Sequence, residues 1–288
     1  MKNTTKSAFS KIAIALLLFE IMFQYGGLLL TEYGSDIYRI EEFSLMVSGI
    51  VSTIVILLIF GTADLNLRYK KFNPLIFLWL ILMVYGVQGI GNFVTMPLID
   101  WLSTIGYDMQ YSKDVASGYG MTGFWAFFYT FAAAPVLEEC FFRGLIFGYL
   151  RKYGKIFAII ITSFFFGLMH LNIVQFPTAV LIGLIFAWTR DTYGLPFSIF
   201  IHASNNILAT VMNNYIEEHI SVQVIYFVMI YGGMLAILVS LIFNFKQIIA
   251  AFKNESNLLG ICRQWFTTIP VILVTAFFLI ITVLSILI

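Results

Sequence analysis

Residues 138–143 read EECFFR, two adjacent acids and an arginine inside a long apolar run. Further along, FFFGLMH ends in His170, and HASNN carries His202, Asn205 and Asn206 in equally apolar surroundings. Glu139 and Arg143 stand at i and i+4 and share one helix face, whereas Glu138 points about 100° away. That spacing predicts an ion pair between Glu139 and Arg143 and leaves Glu138 free for chemistry. His202 and Asn206, also at i and i+4, present one face of another helix. A carboxylate, two imidazoles and an amide suit two reactions that need neither serine nor cysteine. In one, Glu138 and His170 polarise a water for attack on a carbonyl, and His202 with Asn206 stabilises the developing oxyanion. In the other, Glu138, His170 and His202 bind zinc, which acidifies the water. The chain lacks H-E-x-x-H, the local signature of a zinc peptidase, so no cofactor is favoured and zinc is the alternative.

Each of these groups also has a purely structural use. Both acids can partner Arg143, His170 can be a buried hydrogen-bonded residue, and His202 and Asn206 can join helices. Ser163, Ser198 and Ser204 lack the G-x-S-x-G context of a nucleophile, and packing is the reading for Ser204. His219 follows Glu217 and Glu218 and is read as a solvent-side residue.

The elements that must hold these groups follow from composition. The 288 residues are 60% hydrophobic and only 11% charged, with a mean hydropathy of +0.93. A soluble domain needs a more charged surface. Runs such as LMVSGIVSTIVILLIFG are apolar on all sides, without the alternation of a membrane β-barrel. The expected fold is an all-α polytopic membrane protein, one transmembrane domain over 1–288, in which a bundle of about 8–9 helices holds a polar site between three central ones. A net charge of +1 implies no nucleic-acid surface. Cys140 and Cys262 give no support for a disulfide. The first apolar run has a positive start but no prompt small-x-small site, so it is read as a retained helix.

Nine spans are expected, at 12–30, 44–63, 73–91, 119–150, 156–172, 174–189, 195–213, 221–245 and 267–288. The fourth exceeds a perpendicular crossing, and Pro135 is the place for its bend. The connection 92–118 is the longest, either an amphipathic cap or a loop with aromatic anchors. Basic residues gather in alternate connections, as Lys2, Lys6 and Lys11, then Arg68, Lys70 and Lys71, then Arg151, Lys152 and Lys155, then Lys246, Lys253 and Arg263. Glu32, Asp36, Glu41, Glu42, Asp100, Asp108, Asp114, Glu217 and Glu218 fill the others. The alternation predicts a cytoplasmic N-terminus. Ionisable groups facing lipid are costly, so the polar residues of the later spans must share an interior. Glu138 lies 13 residues before Arg151 and His170 14 residues after Ile156, or about 20 Å along each helix, which matches their heights.

The ordered set E-E-x-x-x-R at 138–143, F-x-x-x-H at 166–170 and H-x-x-x-N at 202–206 resembles the CPBP family of intramembrane proteases. That family includes the eukaryotic CAAX prenyl endopeptidases and bacterial proteins linked to bacteriocin processing and self-immunity. The resemblance covers about residues 119–213. It implies that Glu138 activates water with His170, that His202 and Asn206 support the oxyanion, and that Glu139, Arg143 and Phe166 shape the cavity. No motif position is missing. The implied protein is an intramembrane endopeptidase of a bacterial cell membrane, acting on a peptide or membrane-associated protein substrate that enters laterally or from the cytoplasmic side. Two other readings of the same polar centre are a non-enzymatic immunity or scaffold protein that binds a peptide or membrane partner, and a small-solute transporter.

Overall fold

The computed structural model describes residues 2–61, 67, 73–117, 122–255 and 257–287, and among these it contains helices and no strand. Helix α1 (Lys2–Tyr33) leads through a 3-10 turn to α2 (Glu41–Phe60), followed by α3 (Pro74–Thr104) and the short α4 (Gln110–Ser117). A continuous helix, α5, fills 124–150, and α6 (Lys155–Met169), α7 (Phe176–Tyr193) and α8 (Leu195–Tyr215) follow. The chain closes with α9 (Ile220–Asn254), α10 (Leu258–Phe266) and α11 (Ile269–Leu284). The expected spans fall on α1–α3, α5–α9 and α11. Arg68, Lys70 and Lys71, used above for orientation, lie outside the described residues, as does the start of the expected span 119–150.

Local chemistry sets the helix ends. Asn73 accepts from the Leu75 and Ile76 amides and Pro74 opens α3, a side-chain cap followed by a proline whose missing N–H costs nothing there. Gly154 and Gly194, at φ of 147° and 100°, make the tight reversals before α6 and α8. Pro177 and Pro196 occupy the first turns of α7 and α8, where a missing N–H is tolerated.

Two expectations are corrected. The connection 92–118 is largely helical, because α3 continues through Pro97 to Thr104 and α4 follows. Pro97 removes the amide that would donate to Phe93 O, and a membrane helix tolerates an internal proline where side chains and neighbouring helices take up freed backbone groups. The second correction concerns the spans. Among the described residues six unbroken α-helices, α1, α2, α3, α8, α9 and α11, are long and apolar enough to cross a membrane by length and composition, and α5, continuous over 124–150 but interrupted by π turns, is long enough to do so as well. By contrast α6 has 15 residues, about 22 Å of helix against roughly 30 Å of hydrocarbon. The helices that fall short, α6 and α7, pack inside the bundle, where neighbouring protein replaces lipid.

Buried aromatic rings weld this centre. Phe19 of α1 stacks on Phe141 of α5 with centroids 3.7 Å apart, and Phe9, Phe157 and Phe165 surround the fully buried Trp265. Helices α3 and α9 cross in backbone contact, since a Cβ on Gly86 would run into Gly233. The outer faces carry exposed apolar side chains such as Leu58, Phe93 and Phe243, as a lipid-facing surface requires.

Candidate active site

The acids of EECFFR separate as their spacing predicts. Glu139 is fully buried, and its Oε1 lies 3.2 Å from Arg143 Nη1 and 3.2 Å from His202 Nδ1. Its Oε2 accepts from the Ser198 hydroxyl at 2.5 Å. Arg143, also fully buried, donates from Nη2 to Gly183 O at 3.2 Å and lays its guanidinium 4.0 Å above the Phe166 ring. That is a cation–π contact in a desolvated place, where such contacts are strongest. Gly183 is small because Arg143 is there: a Cβ would stand 3.2 Å from Nη2 and 3.1 Å from the Ser163 backbone.

Glu138, one residue earlier, faces a cavity of about 530 Å³ that Phe166, His170, His202 and Asn206 also line. Its Oε2 is 3.9 Å from His202 Nε2, beyond a direct hydrogen bond. Both imidazoles have their tautomer set from behind. His170 Nδ1 lies 2.8 Å from Phe166 O; a carbonyl only accepts, so Nδ1 carries the proton and Nε2 keeps its lone pair. His170 caps α6 in this way, satisfying one of the terminal carbonyls of the helix. His202 Nδ1 likewise donates to Glu139, while its ring stacks on Phe186 at 4.7 Å.

Asn206 is held by a defect in α5. Residues Tyr129–Ala133 form a π turn in which the Ala134 amide bonds to Tyr129 O. The next residue, Pro135, has no N–H, so Thr130 O loses both backbone donors that a helix could give it. Asn206 Nδ2 donates to that carbonyl at 3.0 Å. Asn205 Nδ2 donates to Asn206 Oδ1 at 3.2 Å, and Gln88 Nε2 to Asn205 Oδ1 at 2.7 Å. The expected bend at Pro135 is thus a π turn that recruits a side chain from α8.

The structure brings all four expected catalytic side chains to one cavity and sets Glu139 and Arg143 behind it. Ser163, Ser198 and Ser204 do not line the cavity, and the Ser163 and Ser198 hydroxyls are buried in hydrogen bonds. His219 is exposed at the start of α9. Ser198 as anchor of Glu139 was missed, although its place one turn before His202 on the same helix face is a signal for it. Glu20 was missed. It is buried in α1, neither carboxyl oxygen has a well-formed hydrogen bond, and Gln24, Glu138 and Tyr129 are within its interaction range. A lone acid midway along an apolar span is the signal that could have found it.

Among the described residues no three His, Cys, Asp or Glu side chains gather closely enough to hold a metal ion. Glu138, His170 and His202 are suitable donors by chemistry, but their spacing does not form a ready zinc site.

A bundle of membrane helices closing on a buried glutamate–histidine centre defines the class of this protein, a polytopic membrane protein with a polar core. Residues 120–208 match the family model described as Rce1-like, type II CAAX prenyl endopeptidase Rce1-like, and the match supports a CPBP family intramembrane protease. No curated protein and no solved structure matches the chain.

Proposed function

We propose that the chain is an endopeptidase that hydrolyses a peptide bond within its cavity by glutamate-activated water, without a step that requires metal. The observation that carries this reading is the contrast between the two acids: Arg143, His202 and Ser198 occupy Glu139, while Glu138 faces the cavity with Oε2 unbonded. Water held between the Glu138 carboxylate and the free Nε2 of His170 gives a proton to the carboxylate as its oxygen bonds to the scissile carbonyl carbon. The carbonyl π electrons move onto oxygen. Asn206 donates to that oxyanion from Nδ2, beside His202, which Glu139 anchors through Nδ1. When the C–N bond breaks, Glu138 returns the proton to the leaving amine. Positioning supplies the remainder, since three packed helices hold the groups before the substrate arrives.

The test compares the protein N-termini of cells producing the wild-type chain with those of cells producing Glu138→Gln at equal membrane levels. New N-termini that depend on the wild-type chain should vanish in the variant. Their persistence at undiminished abundance would sink the role of Glu138.

A further inference from the structure

The cavity reaches only one end of the bundle. On α5 its lining runs from Tyr129 to Glu138 and stops before the half that leads to Arg151; on α6 it begins at Phe166, far from Lys155. On α8 it extends from His202 to Asn213, the half remote from the α7–α8 turn. It comes to the surface beside α4, where Val115 is 50% exposed.

The other end is closed by bonds. Beneath Glu138 lie Glu139 and Arg143, both fully buried. Below them Arg190 places its guanidinium 4.6 Å from the Phe147 ring centroid. At the rim Asp191 pairs with Arg151 and with Lys155, each at 2.7 Å. The Ile156 amide donates to Glu255 Oε1 at 2.8 Å, tying the start of α6 to the segment after α9.

These two ends carry opposite charge. The closed end carries Arg151, Lys152, Lys155, Lys253 and Arg263 against Asp191 and Glu255, and the open one Asp100, Asp108, Asp114, Glu217 and Glu218 against Lys113. Basic residues of short connections remain in the cytoplasm. The wall chemistry adds a second indication: apart from Glu138 and Lys113, its polar lining is mainly amide, with Gln88, Asn92, Gln175, Asn205, Asn206 and Asn213. Side-chain amides both donate and accept, which matches the N–H and C=O groups of an extended peptide better than it matches a charged solute.

We infer that the cavity opens on the face of the membrane opposite the cytoplasm and receives an extended peptide segment presented there, as part of an exported or membrane-anchored chain. This replaces the expectation of access from the cytoplasmic side. The direction of opening stands on the cavity and the charge pattern; the substrate class rests on the hydrolytic reading above.

The test uses the full chain with Cys140→Ser and Cys262→Ser, carrying one new cysteine at a time: Val115→Cys at the mouth, Ala209→Cys inside the cavity, or Lys152→Cys at the closed end. A membrane-impermeant sulfonated maleimide is applied to intact cells and to inverted membrane vesicles. Positions 115 and 209 should label in intact cells and be protected in inverted vesicles, with position 152 showing the reverse. Labelling of position 209 only in inverted vesicles, or on neither side while position 115 labels in intact cells, overturns the inference. Mapping the Glu138-dependent cleavage sites separates the two readings. Sites confined to cytoplasmic segments keep hydrolysis and defeat the direction, whereas outward labelling without Glu138-dependent cleavage keeps the direction and defeats hydrolysis.

Discussion

The buried network around Glu139 and the cavity wall around Glu138 draw on the same residue types, and they differ in what is left unbonded. In the network each oxygen of Glu139 has a defined neighbour: Arg143 and His202 at Oε1, Ser198 at Oε2. On the wall Glu138 Oε2 has no hydrogen bond and stands 3.9 Å from His202 Nε2. Neighbours on both oxygens fix the geometry of Glu139, although Arg143 Nε and Nη1 have no hydrogen-bond partner, while the groups that line the cavity are available to a substrate or a water. Adjacent residues on one helix divide these tasks because 100° of rotation sends one inward and the other to the cavity.

The sharpest way to break this contrast is to remove one charge from each side. Glu138→Gln should lower cleavage by about 10²–10⁴-fold, the usual contribution of a positioned acid–base group, while leaving resistance to SDS unfolding in mixed micelles unchanged. Glu139→Gln should act first on the fold. It leaves the Arg143 cation buried without its counter-charge, a loss of about 3–5 kcal/mol, read as unfolding at lower SDS. If both variants fold equally well and lose activity equally, the division between the acids is wrong.

A smaller effect tests whether the network positions His202 or only fills space. Ser198→Ala removes one donor to Glu139 and should cost about 1–3 kcal/mol. If Glu139 orients the imidazole, the turnover number falls while KM holds, and Ser198→Thr, which keeps the hydroxyl, restores part of it. A purely structural serine would lower stability and leave turnover per folded molecule unchanged.

How much of this was legible follows from the range of each interaction. The pairing of Glu139 with Arg143 is one helical turn long, so EECFFR discloses it by itself. The gathering of Glu138, His170, His202 and Asn206 was readable because charged and amide groups cannot face lipid, which leaves a shared interior as their place. The continuation of α3 through Pro97 was hidden, since proline ends most soluble helices and its tolerance depends on neighbours that sequence does not name. Glu20 was hidden for another reason: its relation to Glu138 and Tyr129 is made by α1 packing on α5 through Phe19 and Phe141, and nothing in the local pattern of α1 announces that contact. The closed basic end was equally invisible, because Asp191 is an ordinary acid until folding sets it between Arg151 and Lys155.

The smallest expected effect concerns how the wall obtains Asn206. In the native chain Thr130 O accepts from Asn206 because the Ala134 amide is committed to Tyr129 O and Pro135 offers no N–H. Pro135→Ala supplies that missing donor, and in either helical register a backbone amide can then reach Thr130 O. Asn206→Ala alone removes the side-chain donor to this part-buried carbonyl and should destabilise by about 1 kcal/mol. In the Pro135→Ala background the same change should cost less, giving a coupling of at least about 0.5 kcal/mol between the two sites. SDS titration of the four chains of this cycle measures it. Strict additivity would mean that the π turn and the asparagine are independent, and the wall would then owe its amide to the packing of α8 and not to the defect in α5.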